Sequence, residues 1–564
     1  MTRWLRETHG TLFELYRHFL LGFFDSDLIT ATGQTTAALI GAISLLLPCT
    51  VMFVQPLKFK YAHFSSLPVP GPYREALRAD ELWMITLLMS IIGVLTAIKW
   101  QSLFPGLRDY RALASLPLRA GQVFMAKWMS LFSVATIVLV ALIAGPGLVL
   151  PMVSAGRWAI NPSIGSRFAV HAAACAAGSY FFFFGLIALQ GVLLNLLRPR
   201  LFTRVTAYLQ GFLLALMLVL GVLSFSIQPQ IANAAVRPEW ARWLPPVWFL
   251  GLHQAMLGDP DPVMQALAHT ARAALGIAFG LALSVYLISY RRHRALLVEG
   301  AAMKVHNRRW PAALLEWLIP NPRQQAVLVF IVKTLTGSSQ HRMILMGYGG
   351  FGLAILLSGI IGMRELVEPD RVVPAYFVYT HVIMLIFLLI GLRHLFAMPT
   401  ELLANWTFRI TELEGRRQWM RAVDRLVLVS GAVVMLAIPF PVEVRLLGWR
   451  AVTESVLFVL FGLLCYEWAF SSWEKLPFTC SYLPGKTPAW ILASQFLGLL
   501  TLLPIVSAIM LACLYNRAGF LVVLAVLFAA WVRIRAIRKE TWGEVSLKYE
   551  EFPDPAIHGL DLLK

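Results

Sequence analysis

One short motif has residue types that bind nucleotide phosphates in other proteins. Residues Pro484 to Thr487 read PGKT, and a lysine followed by threonine contacts phosphate and magnesium when a glycine-rich loop surrounds the pair. Such a loop also needs a glycine six residues before the lysine, but that position holds Cys480, and no predicted strand precedes it. We therefore interpret Pro484 and Gly485 as a turn that leaves Lys486 at the inner membrane surface.

The histidines and cysteines show no spacing typical of a metal site or a catalytic centre. The twelve histidines are scattered, no HExxH motif occurs, and the five cysteines have no paired spacing. No serine, histidine and aspartate arrangement for nucleophilic catalysis can be assembled either. The sequence NWT at Asn405 matches a glycosylation acceptor, but its predicted inner location makes it inert. The sequence predicts no catalytic residue, no metal ligand and no cofactor bound by this chain.

The composition excludes an ordinary soluble enzyme. Of the 564 residues, 58% are hydrophobic and only 14% are charged, and the mean hydropathy is +0.69. Uncharged stretches of about 18 residues or more recur, which is the length that a helix needs to cross a hydrocarbon core of about 30 Å. The same composition excludes a disordered chain, a collagen-like repeat and a disulfide scaffold. The sequence therefore predicts a polytopic membrane protein.

The apolar stretches predict an all-α protein with about twelve transmembrane helices, six on each side of a polar connector. Helices rather than a barrel are expected, because the stretches are continuous and a helix satisfies its own backbone groups in lipid. The predicted spans are residues 35–53, 82–98, 128–152, 168–196, 205–227, 271–290, 343–363, 375–396, 426–440, 452–471, 489–514 and 518–531.

The distribution of basic residues predicts the orientation of the chain. Most of the 48 Lys and Arg residues fall in the loops that lie on one side of the predicted spans, and basic residues are retained in the cytoplasm during insertion. Both termini are therefore expected in the cytoplasm, with the chain in a bacterial inner membrane. The net charge of +18 mostly reflects this topology and attraction to anionic lipids, so no nucleic-acid partner is implied.

Two apolar-rich segments precede the first spans of the two halves. Leu12, Leu15 and Phe19 recur at helical spacing beside charged residues, which indicates an amphipathic helix in the membrane surface; a frayed tail is the alternative. Residues 325–335 occupy the same position before the second half.

The two halves thus share a plan, in which the long inner loop from Trp100 corresponds to the one from Asn405. An alternative register of the repeat would pair SLPLRAGQ with SYLPGKTP at Ser481. We prefer the first register because it leaves six spans per half.

The predicted domains follow from these features. They are a first six-span half with its N-terminal amphipathic helix (1–290), a cytoplasmic connector with the second such helix (291–342), a second six-span half (343–538) and a cytoplasmic tail (539–564).

The long loop after the second span resembles a segment of the permeases of type-2 ABC exporters. Ser102 to Trp128 reads SLFPGLRDYRALASLPLRAGQVFMAKW, which is similar to the arrangement of Leu-Pro, a basic turn, a helix and a lysine that leads into the third span of such permeases. Leu244 to Gly258 resembles the re-entrant segment that they carry on the outer side. The resemblance covers the first half well and the second half in outline, where the corresponding outer loop shrinks to Tyr515 to Gly519.

The resemblance implies that the amphipathic segments are elbow helices and that the long inner loops are coupling helices, which dock on separate ATPase subunits. Those partners would use ATP and magnesium, and the fused halves imply no second permease copy. Apolar side chains in such a loop fill a partner groove while charges set the register; an interfacial helix at the lipid head groups is the alternative. The candidate coupling residues are Arg108, Asp109, Arg111, Leu116, Pro117, Arg119 and Lys127 in the first loop and Arg416, Arg417 and Arg421 in the second.

Polar side chains inside the spans are candidates for a substrate pathway, since such groups in lipid usually line a path or pair with one another. Local hydrogen bonding or snorkelling is the alternative for each. The candidate pathway residues are His171, Tyr180, Asn195, Tyr379 and His381. Gln190, Gln210, Glu454 and Glu467 are further polar residues of the spans.

These features favour a permease without an enzymatic site of its own, exporting an apolar or amphipathic substrate. Two other classes stay open. A membrane enzyme acting on lipids would need acids or histidines clustered at one interface, and the sequence gives no sign of such a cluster. An ion-coupled carrier would need buried charge in the middle of a span.

Overall fold

The computed structural model describes residues 2–24, 54, 56–104, 109, 113, 118, 120–160, 163–232, 239–300, 319, 321–366, 375–400, 405–432, 439–470, 475–479, 504–513, 515–544, 547 and 549. Throughout these residues the chain is all-helical and contains no strand, as the sequence predicts. Two compact units form, Met1–Val305 and His306–Lys564. The boundary between them falls inside the predicted connector 291–342.

The first unit contains eight labelled helices. They are α1 (Thr2–Phe24), α2 (Gly71–Ile98), α3 (Ala120–Ala144), α4 (Pro146–Val153), α5 (Ile164–Leu196), α6 (Pro199–Ala232), α7 (Pro245–Leu257) and α8 (Pro262–Gly300). Short 3-10 helices lie at Trp100–Ser102 and Glu239–Trp243, and residues 56–66 form a further helical segment. Because α8 continues to Gly300, the start of the predicted connector is helical.

The second unit contains the remaining labelled helices. They are α9 (Pro322–Gly337), α10 (Ser339–Leu366), α11 (Ala375–Phe396), α12 (Asn405–Ala432), α13 (Phe440–Leu447), α14 (Arg450–Ala469), α15 (Pro504–Cys513) and α16 (Arg517–Glu544).

Nine helices in the described part of the chain are long and apolar enough to cross a membrane. These candidate spans are Gly71–Ile98, Gly121–Val153, Ile164–Leu196, Val205–Ser224, Pro262–Ser289, Gln340–Ile361, Val378–Phe396, Arg450–Ala469 and Arg517–Glu540. Each overlaps one predicted span, which confirms a membrane protein of several transmembrane helices. The predicted spans 35–53, 426–440 and 489–514 lie wholly or partly outside the described residues, so the count of twelve and the repeat stay predictions.

Local sequence explains where the helices that carry the site begin and end. The Ser163 side chain caps the start of α5 by accepting a hydrogen bond from the backbone N–H of Ser166. Two prolines, Pro245 and Pro246, open α7, where a missing N–H costs nothing. The helix ends at Gly258, which has a φ of +90° and so adopts the left-handed conformation that favours glycine.

In the first unit, α2 packs against α5, α6 and α7, while α8 packs against α5 and α7. The contact of α7 with α8 is close because Gly251 has no side chain: a Cβ there would lie 2.4 Å from the Cβ of Leu267. Buried apolar residues join α2, α7 and α8 around this contact, including Leu82, Leu250 and Met264. The short helix α7 is thus held against three long helices.

The second unit has its own apolar core. Its buried residues come from α9, α11, α12 and α14, with Val327, Leu385, Val423 and Phe458 among them. Helix α10 packs closely on α11, where a Cβ on Gly359 would lie 2.2 Å from the hydroxyl oxygen of Thr380. Helix α14 also packs against α16.

Candidate functional site

The structure describes only part of the predicted coupling loops. Asp109 is half-buried, Lys127 is buried on α3, and Arg417 and Arg421 are exposed on α12. The backbone of Arg416 belongs to α12, but its side chain lies outside the described residues. Five further coupling candidates also lie outside them, namely Arg108, Arg111, Leu116, Pro117 and Arg119.

The helix that the sequence predicts near the N-terminus is present as α1, and it packs against α3, the helix that follows the first long inner loop. Leu15 and Phe19 of α1 are buried against Ala126 of α3. The ammonium group of Lys127 lies 4.8 Å from the centre of the Phe19 ring, a cation–π contact. Tyr16 donates a hydrogen bond of 3.1 Å to the hydroxyl of Ser133. In this structure Lys127 therefore anchors α1 to α3.

Two residues of the coupling loop join the same contact. Leu113 and Leu118 pack against the buried cluster that α1 forms with α3. We refer to α1, these two leucines and α3 as the elbow assembly.

Three of the predicted pathway residues hold neighbouring helices together. The Tyr180 hydroxyl on α5 lies 2.8 Å from that of Thr136 on α3, and its ring stacks on Phe132. Asn195 donates a hydrogen bond of 2.7 Å to Ser289 on α8. In the second unit, His381 Nε2 lies 2.5 Å from Glu443 Oε1. These contacts match the local hydrogen bonding that was the alternative to a pathway role.

Tyr379 and His171 complete the set of pathway candidates. Tyr379 is half-buried on α11. His171 belongs to a cluster that joins α2, α5 and α7. We call its members Glu81, His171 and His253 the histidine–glutamate cluster.

The Glu81 carboxylate lies between the two imidazoles of this cluster. Its Oε2 is 2.6 Å from His171 Nδ1, and its Oε1 is 3.3 Å from His253 Nε2. The exposed fractions are 2% for Glu81, 0% for His171 and 2% for His253. Two imidazole groups facing one buried carboxylate compensate part of its lost hydration. Imidazole nitrogens and a carboxylate oxygen are also the ligand types of many transition-metal sites, and the three ligand atoms lie within 4.8 Å of one another.

Each imidazole has a second polar neighbour on the ring edge that faces away from Glu81. Cys175 Sγ lies 3.6 Å from His171 Nε2, one helical turn along α5. The side-chain amide of Gln254 lies 3.4 Å from His253 Nδ1. These neighbours orient both rings, so that His171 presents Nδ1 and His253 presents Nε2 to the centre of the cluster.

A polar network next to the cluster fixes the end of α7 to α2. Arg78 Nη2 lies 2.6 Å from Asp259 Oδ2 and 3.6 Å from Asp261 Oδ2, just after α7 ends. On the same turn of α2, Asp80 accepts hydrogen bonds from Lys60 at 2.7 Å and from Tyr61 at 2.7 Å. Burial and the adjacent Asp80 raise the pKa of Tyr61 well above its ordinary value, so its hydroxyl stays protonated and donates.

The expectation that no histidine cluster could be assembled is wrong. His171 and Glu81 are 90 residues apart in the chain, and His253 is farther still, so no short motif marks them. One sequence signal was available: Glu81 borders the outer end of a predicted span, His171 lies at the outer end of another, and His253 falls in a predicted outer segment. That signal places all three at the same level of the membrane.

The second unit has two further buried polar groups. Glu454, which is 4% exposed, has no hydrogen-bond partner for either carboxylate oxygen among the described residues. Arg538 on α16 lies 2.7 Å from Glu467 Oε2 on α14 and 3.0 Å from Asp424 Oδ1 on α12. The second group joins three helices at the predicted inner end of their spans.

The chain matches no protein-family model, no curated protein and no solved structure.

Proposed function

We propose that the chain is the membrane-spanning permease of an ATP-driven transporter of the type-2 ABC exporter class. It moves an apolar or amphipathic substrate and is powered by separately encoded ATPase subunits. The elbow assembly is the observation that carries this proposal. In this assembly an amphipathic helix packs against the helix that directly follows a long basic loop. The resemblance to the permeases implies the same order of these elements along the chain.

The elbow assembly provides a mechanical connection from the loop to the spans. Leu113 and Leu118 pack against α1 and α3, so a displacement of the loop moves both helices together. Packed helices shift as units, because a close-packed core does not deform continuously. ATP binding would bring two ATPases together, move the inner loops and, through them, the spans.

The outer end of the first unit fits the same mechanism. Helix α7 corresponds to the segment that resembles an outer re-entrant element, and it is held by Arg78 and by the histidine–glutamate cluster. A short helix fixed in this way between α2, α5 and α8 closes the outer end of the bundle. Export would require α7 to shift relative to α2.

Charge reversal in the coupling loops tests the proposal. Arg108→Glu with Arg111→Glu should weaken co-purification with a candidate ABC ATPase, because reversed charges repel a complementary partner. Arg417→Glu with Arg421→Glu tests the second loop: both side chains are exposed, and their i, i+4 spacing puts them on one face of α12. Arg74→Glu with Arg242→Glu is the matched control, since both residues are exposed and lie on the predicted outer side.

The association is measured in neutral detergent, which removes the attraction of basic residues to anionic lipids. A loss confined to the two inner-loop variants is the expected result. Unchanged co-purification of both would show that these loops are membrane-surface helices, and a lipid-binding role would account for their charge.

A membrane enzyme is the second candidate function, and the histidine–glutamate cluster favours it. Such an enzyme must bring a lipid or water to the reacting group. All three side chains are at most 2% exposed, which gives a substrate no open approach in the described part of the chain. Assay of the chain for hydrolysis of a labelled lipid, with His253→Ala as the comparison, separates this function from transport.

A further inference from the structure

The histidine–glutamate cluster has the chemistry of a transition-metal site. Its three ligand atoms are His171 Nδ1, His253 Nε2 and a carboxylate oxygen of Glu81, and they converge from three different helices. Two neutral imidazoles and one carboxylate make a ligand set with a single negative charge, which suits a divalent cation. The same set, two histidines and one glutamate, is a known ligand combination for zinc.

The three ligand atoms lie within 4.8 Å of one another, so a small adjustment brings them to the spacing of a zinc site. Zinc lies about 2.0–2.2 Å from nitrogen and oxygen ligands, so neighbouring ligand atoms of a tetrahedral site are about 3.3 Å apart. The distance from Glu81 Oε1 to His253 Nε2 is 3.3 Å. The distance from Glu81 Oε2 to His171 Nδ1 is 2.6 Å and must open by about 0.7 Å to reach this spacing. Side-chain torsions supply a shift of this size.

The surroundings also have the form that metal sites require. A histidine ligand normally holds its second ring nitrogen against another polar group, which fixes the ring and its tautomer. Cys175 occupies that position for His171, and Gln254 occupies it for His253. The cysteine sulfur lies at the far ring edge and is therefore a supporting group rather than a ligand. The buried setting further strengthens the attraction between the ion and Glu81.

We propose that Glu81, His171 and His253 bind one zinc-class divalent metal ion, which clamps α7 onto α2 and α5. The ion joins a short helix to two long helices, and the Arg78 contacts with Asp259 and Asp261 hold the same helix at its end. The proposal does not rest on transport, since the ligands and their spacing are independent of the coupling loops.

The second unit provides a matched control. His381 Nε2 and Glu443 Oε1 form a buried pair at a distance of 2.5 Å. Among the described residues, no second histidine joins this pair in a cluster that could hold a metal ion. His381→Ala removes a buried histidine next to a glutamate, as His171→Ala and His253→Ala do. It should leave the metal content unchanged.

The test is the zinc content of the full chain, purified without a histidine tag, loaded with zinc and dialysed. One zinc ion per chain is expected for the wild type and for His381→Ala, and a loss is expected for His171→Ala and His253→Ala. His253→Cys, which supplies another zinc ligand at the same place, should retain the ion. Zinc in the wild type at no more than the level of His171→Ala would overturn the proposal.

A second measurement covers variants that fail to fold. Cobalt(II) added to the metal-free wild type gives a visible absorption spectrum typical of its coordination, and zinc should displace it. The midpoint of thermal unfolding should also rise with zinc, because an ion that binds only the folded state stabilises it. A wild-type chain with neither a cobalt spectrum nor a zinc-dependent midpoint contradicts the proposal, and the cluster is then held by hydrogen bonds alone.

Discussion

Two glutamates at opposite ends of α14 are buried in different electrostatic surroundings. Glu467 accepts a hydrogen bond of 2.7 Å from Arg538, whereas neither carboxylate oxygen of Glu454 has a hydrogen-bond partner among the described residues. A buried carboxylate without a partner lowers stability, because it loses its hydration and gains no interaction in return. The same residue type therefore has opposite effects at the two ends of one helix.

Replacing each glutamate by glutamine separates these effects. Glu454→Gln removes a buried carboxyl group that has no hydrogen-bond partner among the described residues, so we expect the free energy of unfolding to stay the same or increase. Glu467→Gln leaves Arg538 with Asp424 as its remaining carboxylate partner and should cost about 1–3 kcal/mol, the penalty for a weakened buried charge contact. Thermal unfolding in detergent measures both. A larger loss of stability for Glu454→Gln than for Glu467→Gln would contradict this account of α14.

The residues of the histidine–glutamate cluster show what a sequence can reveal about a site in lipid. His171 was a candidate because a histidine inside an apolar run is unusual. Glu81 and His253 lie outside the predicted spans and so lacked that signal. Their approach to His171 depends on how α2, α5 and α7 pack, and packing between distant segments leaves no local pattern in the sequence.

At the scale of elements, apolar length determined which predictions succeeded. Each candidate span overlaps a predicted one, because an apolar run long enough to cross a bilayer has few alternatives to a helix. The short helix α7 is different, since its thirteen residues are too few to span. Its place was predicted only by resemblance, and its close approach to α8 depends on the missing side chain of Gly251.

Gly251→Ala tests that contact. The new Cβ would lie 2.4 Å from Leu267 Cβ and 2.9 Å from the carbonyl oxygen of Met264, so α7 must move away from α8. We expect a loss of about 1–3 kcal/mol, typical of overpacking. Gly276→Ala on α8 is the matched control, since nothing lies within 4 Å of its added Cβ and alanine favours a helix. Unfolding midpoints that do not distinguish the two variants would show that α7 is not closely packed.

At the scale of the whole molecule, each unit contains a buried pair of histidine and glutamate. In the first unit α2 supplies Glu81 and α5 supplies His171, whereas in the second unit α11 supplies His381 and α13 supplies Glu443. Helices α2 and α11 are the second predicted spans of their halves. Their partners do not correspond, since His171 lies in the fourth predicted span of its half and Glu443 lies on α13, after the third. Among the described residues of the second unit, no second histidine joins the pair of His381 and Glu443 in a metal-ligand cluster.

The two units also differ in the other groups that they contain. The first unit carries the elbow assembly, the helix α7 and the histidine–glutamate cluster, which the proposed export function would use at the inner and outer ends of the spans. The second unit carries instead the Arg538 group, which ties α12, the helix of the second coupling residues, to α14 and α16. A movement of the second inner loop would reach the spans through this group.

The most direct test of the central claim is ATP hydrolysis in vesicles that contain this chain, with and without a candidate ABC ATPase. The account predicts that the chain alone hydrolyses no ATP, because the PGKT segment lacks the glycine that a phosphate-binding loop requires at the position of Cys480. With the ATPase present, hydrolysis should appear and should fall when Arg417 and Arg421 are both changed to glutamate. Hydrolysis by the isolated chain that Lys486→Ala abolishes would contradict the account.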